Sequence, residues 1–219
     1  MELLRKKLSP YQHFIWDWNG TLLEDVQQIW EATIQVLTRF NKPGFTKEVY
    51  RREFCLPLSD YYQKVGFDLE HTSYREIAEA FQEEYLLRYK EAKLFAGTIE
   101  LIEQLNQEGK SNVILSASSQ GFLDHNVEHF GIRQHFSHIY GVANHLAQGK
   151  GLRGLEMLRE TALPTERTLL IGDTDHDLAV GQEMGIAVLL IADGHQNFER
   201  LSSLHHNVLS SRYAPIHSS

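Results

Sequence analysis

Cysteine is almost missing from this chain: Cys55 is the one thiol in 219 residues. No internal disulfide can form, so a reducing cytoplasm is the expected setting. Long apolar runs are absent as well, and nothing reaches the roughly 20 residues that a membrane-crossing helix needs. The opening MELLRKKLSPYQ carries basic residues with no long apolar stretch behind them, unlike a secretory signal. An excess of positive charge is also lacking. Lysine and arginine number 21 against 29 acidic residues, a net charge of −8. That balance excludes a general nucleic-acid binder, which needs a basic face against phosphates. Small phosphorylated ligands stay open, because they need only a few local donors. The sequence shows no internal repeat, low-complexity tract or flexible linker.

What is present suits a folded enzyme. Apolar residues make up 42% of the chain, enough to bury a core. The length allows one sizeable domain, or one domain with a modest insert. Apolar, β-favouring runs at residues 13–17, 112–115, 137–142, 168–171, 186–191 and 207–209 read as strands. Helical patterns separate them. Thr98 reads as an N-cap before IELIEQLNQE, with Gly109 just past its end. GLRGLEMLRETAL repeats leucine at Leu152, Leu155 and Leu158, and DLAVGQEMG stops at Gly185. Strands alternating with helices predict an α/β fold, a Rossmann-like parallel sheet with helices on both faces.

Residues 25–92 break that alternation. Ile29, Val36, Leu37 and Phe40 predict one helix, and Ile77, Phe81, Tyr85 and Tyr89 another, with no strand between them. The expected division is an α/β core from residues 1–24 and 93–219, with an all-α cap inserted over 25–92.

Open parallel sheets collect ligands at the carboxyl ends of their strands. Here those ends carry Asp17, Ser116, and the pair Asp173 and Asp177, with Lys150 before the fourth strand. Three carboxylates in one desolvated cleft repel each other, and a hard divalent cation resolves that. Mg²⁺ takes oxygen ligands and leaves room for a phosphate oxygen, while Lys150 adds a positive charge. Ser116 offers a hydroxyl to phosphate, and Gly20 lets the backbone turn sharply after the strand. Asp17 then stands as a nucleophile that can form an aspartyl phosphate and split hydrolysis into two steps.

The stretches DWNGTLLED, Ser116 after NVIL, Lys150, and IGDTDHD resemble the four motifs of the haloacid dehalogenase superfamily. The insert falls where phosphoglycolate-phosphatase-like members carry a helical cap. The resemblance implies that Asp17 is nucleophile and metal ligand, and that the backbone carbonyl of Asn19 is a second ligand. It implies that Asp173 binds the metal and Asp177 supports it. Ser116 and Lys150 would hold phosphate, with Thr21 bracing the phosphate loop. The implied reaction is hydrolysis of a small phosphate monoester by a monomer or homodimer.

Position 19 departs from the pattern. Phosphatases of the superfamily usually carry an aspartate there as general acid and base, a role contributing about 10²–10⁴-fold. An amide has no titratable proton in range. Three readings stay open. The chain is a phosphatase with another proton relay, such as His176, or with a substrate whose leaving group needs no acid. It is instead a phosphonatase-like hydrolase using a cap lysine, for which Lys42, Lys47 and Lys64 are the candidates. Or it binds a phosphorylated ligand or partner without turnover. Arg51 and Arg52 read as exposed salt-bridge residues, although arginine suits an anionic substrate group. Cys55 reads as structural.

Overall fold

The computed structural model describes residues 1–142 and 149–215. Its main sheet is six-stranded and parallel, in the order β5-β4-β1-β6-β7-β8. The strands are β1 (His13–Trp16), β4 (Ser111–Ser119), β5 (His138–Val142), β6 (Thr168–Gly172), β7 (Ala187–Ile191) and β8 (Val208–Leu209). The α/β class expected from the alternation is therefore the observed one. Two short strands, β2 (Leu23–Glu24) and β3 (Lys93–Leu94), pair antiparallel where the chain leaves and re-enters the core. Two residues each are too few for an apolar period to announce them.

Side chains alternate across the pleat and fill two cores. Phe14, Trp16, Ile114 and Ile171 point to one face, where α1 (Glu2–Leu8), α6 (Thr98–Gln107) and α7 (Gln120–His129) cover them. Ile15, Val113, Leu115 and Leu170 point to the other, under α8 (Lys150–Thr161), α9 (Asp175–Met184) and α10 (Phe198–Leu204). Each fully buried side chain of this kind contributes roughly 1.5–3 kcal/mol. Gly109 and Gly185 take positive φ past α6 and α9, as expected of helix stops. Three local details differ from the sequence reading. Gly97, not Thr98, caps α6. Leu152 faces solvent, 64% exposed, while Leu155 and Leu158 pack on the core. β4 runs past Ser116 to Ser119 through a break in its register with β5.

Between β2 and β3 the chain is helical: α2 (Val26–Arg39), α3 (Lys47–Glu53), α4 (Leu58–Lys64) and α5 (Tyr74–Arg88). These helices share their own apolar cluster around Leu37, Tyr50, Tyr61 and Ile77. Two of their contacts with the sheet layer stand out among the described residues. At the end of α5, Tyr85 and Tyr89, which follows the helix, pack on Phe122 of α7. On α3, the Arg51 guanidinium donates to the carbonyls of Ala192 (2.5 Å), Gly194 (2.9 Å) and Gln196 (3.3 Å) in the loop after β7. Arg200 and Gln196 in turn donate to the carbonyl of Phe54. Arg51 is thus a structural tie rather than a solvated salt-bridge residue, while Arg52 does pair with Glu53. Among the described residues, no helix is long and apolar enough to cross a membrane.

Candidate active site

The strand order reverses at β1, with β4 on one side and β6 on the other, which makes its carboxyl end the crevice of the sheet. Asp17 is the next residue. Its Oδ1 accepts from Lys150 Nζ at 2.5 Å, and Asp177 Oδ1 accepts from the same ammonium at 2.6 Å. Carboxylate oxygens of Asp17, Asp173 and Asp177 lie within 4.8 Å of one another, and all three residues are buried.

Local sequence explains the placement. Asp177 is the third residue of α9 and closes a capping box with Thr174, its Oδ2 accepting from the Thr174 amide (3.0 Å) and hydroxyl (2.7 Å). That leaves Oδ1 free for Lys150. Asp173 accepts from the Thr21 hydroxyl at 2.9 Å and from the His195 amide at 2.6 Å. Thr21 is fully buried and its hydroxyl is engaged with Asp173, so it faces the carboxylate and not the cavity. Gly20 is required twice over. Its φ is +73°, and a Cβ there would meet Asp173 Oδ2 at 2.3 Å and His195 Cδ2 at 2.6 Å. Ser116, at the crevice end of β4, is buried and accepts from the Ser118 amide at 3.0 Å.

A cavity of about 1180 Å³ opens over this cluster. Asp17, Asn19, Ser116, Lys150, His176 and Asp177 form its floor, and Phe54, Tyr62, Phe81 and Tyr85 of the helical layer face them. Lys150 is the only lysine on its wall among the described residues. The three candidate lysines of the insert are engaged elsewhere: Lys42 lies over the Phe67 ring, Lys47 donates to Gln27, and Lys64 donates to Cys55.

The cluster is electrostatically unbalanced, with one ammonium among three carboxylates. Burial pushes the Asp17 carboxyl up to about 8; Lys150 opposes the shift and Asp177 and Asp173 add to it. Burial also pushes Asp173 up to about 6, with His195 opposing and Asp177 adding. Burial works against the charge on Asp177 as well, yet Lys150 and the Thr174 hydroxyl outweigh it and hold that carboxyl below the ordinary range. Asp17 and Asp173 therefore bind protons more tightly in the folded chain than near the ordinary 3.8. Their contribution to stability is present at low pH and is lost as pH rises through the window from about 4 to about 8. In chelator, the melting temperature is expected to fall between pH 5 and pH 8, and millimolar Mg²⁺ to restore several degrees at pH 8 but far less at pH 5. Thermal melts at both pH values decide this. Equal restoration at both would place the cation elsewhere.

Sequence reasoning missed a second buried network. The Asn19 amide donates to Asp25 Oδ2 at 2.6 Å and lies 3.2 Å from the Tyr85 hydroxyl, and its Oδ1 accepts from the Ser118 hydroxyl at 3.0 Å. Asp25 is fully buried, accepting also from the Gly20 amide (3.0 Å) and the Tyr85 hydroxyl (2.8 Å). His195 sits beside it, Nε2 to Asp25 Oδ1 at 3.4 Å, with Nδ1 at 2.8 Å from the Tyr50 hydroxyl. Asp25 is the residue before α2, where an aspartate normally caps the helix, but its carboxylate turns back to Asn19 instead. His195 was visible only as a polar residue after the fifth strand of the sheet.

Residues 14–191 match the family model of haloacid dehalogenase-like hydrolases. The chain belongs to that family. Among its relatives, the 5'-nucleotidase of Pseudomonas aeruginosa is 25% identical over 206 residues, 90% of each chain. Tyrosine-protein kinase PtkA of Mycobacterium tuberculosis is 25% identical over 192 residues, 85% of this chain and 64% of the kinase. A solved structure, a predicted phosphatase from Clostridium acetobutylicum, shares the fold with a TM-score of 0.74 at 18% identity, covering 92% of this chain and 94% of that one.

Proposed function

We propose that the chain is a Mg²⁺-assisted phosphatase that hydrolyses a small phosphate monoester through an aspartyl phosphate on Asp17. The observation that carries the reading is the Asp17 carboxylate on the floor of a large cavity, ion-paired to Lys150 and grouped with two further carboxylates. The donor set fits a hard dication: buried oxygen ligands, close together, with more negative charge than Lys150 neutralises. Asp17, Asp173, Asp177 and the backbone carbonyl of Asn19 would hold Mg²⁺. Bound there, it would supply Lewis-acid charge for the phosphate oxygens.

The chain's own residues do the remaining work. Ser116 and Lys150 take phosphate oxygens, and Lys150 keeps Asp17 oriented by the bond already in place. An Asp17 oxygen attacks phosphorus, and the leaving oxygen departs with the electron pair of its P–O bond. Water then attacks the same phosphorus, breaks the bond to Asp17, and releases inorganic phosphate. The helices over residues 25–92 act as a cap that excludes bulk water and selects the substrate. The substrate is a small phosphorylated metabolite, handled in the cytoplasm by a monomer or homodimer without nucleic acid or membrane.

One observation favours the alternative of binding without turnover: every polar atom of the Asn19 side chain is already engaged by Asp25, Tyr85 or Ser118. Acetyl phosphate decides between the two, because its leaving carboxylate needs no acid. With Mg²⁺, phosphate release above the spontaneous rate is expected, and chelator is expected to stop it. Binding of phosphate without any such release would establish the alternative.

A further inference from the structure

The cavity is far larger than a phosphate with a two-carbon leaving group requires, and its upper wall has a definite chemistry. Phe81 and Tyr85 stack with centroids 6.0 Å apart and an interplanar angle of 7°, and Phe122 meets Tyr85 edge-on at 6.2 Å. Phe54, Tyr62 and Leu86 extend the apolar surface. The wall starts beside position 19, since the Tyr85 hydroxyl is 3.2 Å from the Asn19 amide. Charge is scarce there. Arg75 and Glu79, the charged side chains that the helices bring to the cavity, pair with each other at 2.7 Å. Among the described residues Arg75 is the one arginine on the wall, and it lies exposed in that pair rather than aimed into the cavity floor.

The second observation is independent of the first. Asn19 lies on the cavity floor two residues after Asp17, and its amide is both non-acidic and bonded to Asp25. An alcohol leaves poorly without a proton, its pKa being close to the roughly 15.7 of water. A phenol, at about 10, leaves far more readily as its anion.

We infer that the substrate is a phosphate monoester of an aromatic hydroxyl, whose ring lies against Phe81, Tyr85 and Phe122 while its phosphate reaches Asp17. This assignment rests on the phosphatase reading and names its substrate class. The P–O(aryl) bond breaks as Asp17 attacks. The phenolate keeps the electron pair and takes its proton from solvent after departure. The product is a free phenol, so the reaction that supplies the substrate is phosphorylation of an aromatic hydroxyl.

Three esters and one acyl phosphate on the intact protein with Mg²⁺ test this, separating ring from leaving group: phenyl, benzyl and ethyl phosphate, and acetyl phosphate. Phenyl phosphate is expected to show a KM about tenfold below that of acetyl phosphate. Benzyl phosphate is expected to bind like phenyl phosphate, with a kcat lower by about 10²-fold or more. Phe81→Ala is expected to raise the KM for phenyl phosphate about tenfold more than that for acetyl phosphate. Phe81→Leu, which removes the ring but keeps a sizeable apolar side chain, serves if the alanine variant does not fold. A phosphotyrosyl peptide beside phenyl phosphate tells a protein-borne aryl phosphate from a free one, and turnover of either supports the shared chemistry. Equal kcat for benzyl and phenyl phosphate would reveal a proton donor and overturn the assignment. So would equal KM for acetyl and phenyl phosphate, while acetyl phosphate turnover would leave the phosphatase reading standing. No release from any of the four removes both.

Discussion

Replacing Asp17 with asparagine is expected to lower phosphate release by about 10⁴-fold or more, the scale of losing a nucleophile, and at the same time to stabilise the metal-free protein. The two effects share one cause. Asp17 is the carboxylate that the proposed attack requires, and it is also the one whose ionisation the folded chain most resists. Asparagine keeps the shape and an oxygen for Lys150, while Asp177 keeps its bond to the same ammonium. At pH 8 in chelator, Asp17→Asn should therefore melt several degrees above the wild type. At pH 5, where Asp17 is already protonated, the gain should vanish. A variant that loses activity because its fold has loosened would melt lower at both pH values, so melts beside the kinetics separate the explanations. This is the trade between stability and activity expected where function forces like charges together.

Asn19→Asp is expected to fail as a simple restoration of the missing acid. The Asn19 amide donates to the fully buried Asp25 carboxylate at 2.6 Å. An aspartate there replaces a hydrogen bond to a charged group, itself worth about 1.5–3 kcal/mol, with two carboxylates in contact. The loss should reach at least about 2 kcal/mol at pH 8. It should shrink at pH 5, because such a pair holds one proton tightly and is relieved once protonated. The exchange Asn19→Asp with Asp25→Asn keeps one carboxylate and one amide, and should recover most of the stability. It also puts a carboxyl group on the cavity wall, where hydrolysis of poor leaving groups should rise by about 10²–10⁴-fold. Denaturant melts of the four proteins at both pH values, with rates on benzyl phosphate, provide the check. A single variant as stable as wild type at pH 8 would show that Asp25 does not constrain position 19.

That pairing explains what the sequence could and could not reveal. Asp17 and Ser116 were legible as polar residues where apolar runs end, and Asp173 just past another; Lys150, the first residue of α8, and Asp177, inside α9, stood out through the resemblance to the four motifs. The parallel sheet was legible from the apolar period of its strands. Asp25 lies in the same DWNGTLLED stretch, but no periodic pattern says that a residue before a helix will turn its carboxylate backward. Tyr85 read as one more apolar residue of α5, since its ring does pack on Phe81 and Phe122. Its hydroxyl, which reaches Asp25 across 60 residues of sequence, becomes apparent only in three dimensions. Arg51 was misjudged because an arginine on a short helix is usually solvated, and its three acceptors are backbone carbonyls without side-chain identity.

The α3 and α5 attachments of the helical layer differ in how many directional bonds they carry, and that difference bears on which side of the cavity should open more easily. On the α3 side several directional bonds run to the loop after β7, the three from Arg51 among them, whereas on the α5 side edge-on rings meet Phe122 and the Tyr85 hydroxyl, bonded at Asp25 and Asn19, is the main directional tie. Fewer directional bonds hold the α5 side, so the rim near Leu86 is expected to loosen before the α3 side does. If the proposed aryl phosphate carries a bulky group on its ring, that side is where it would project.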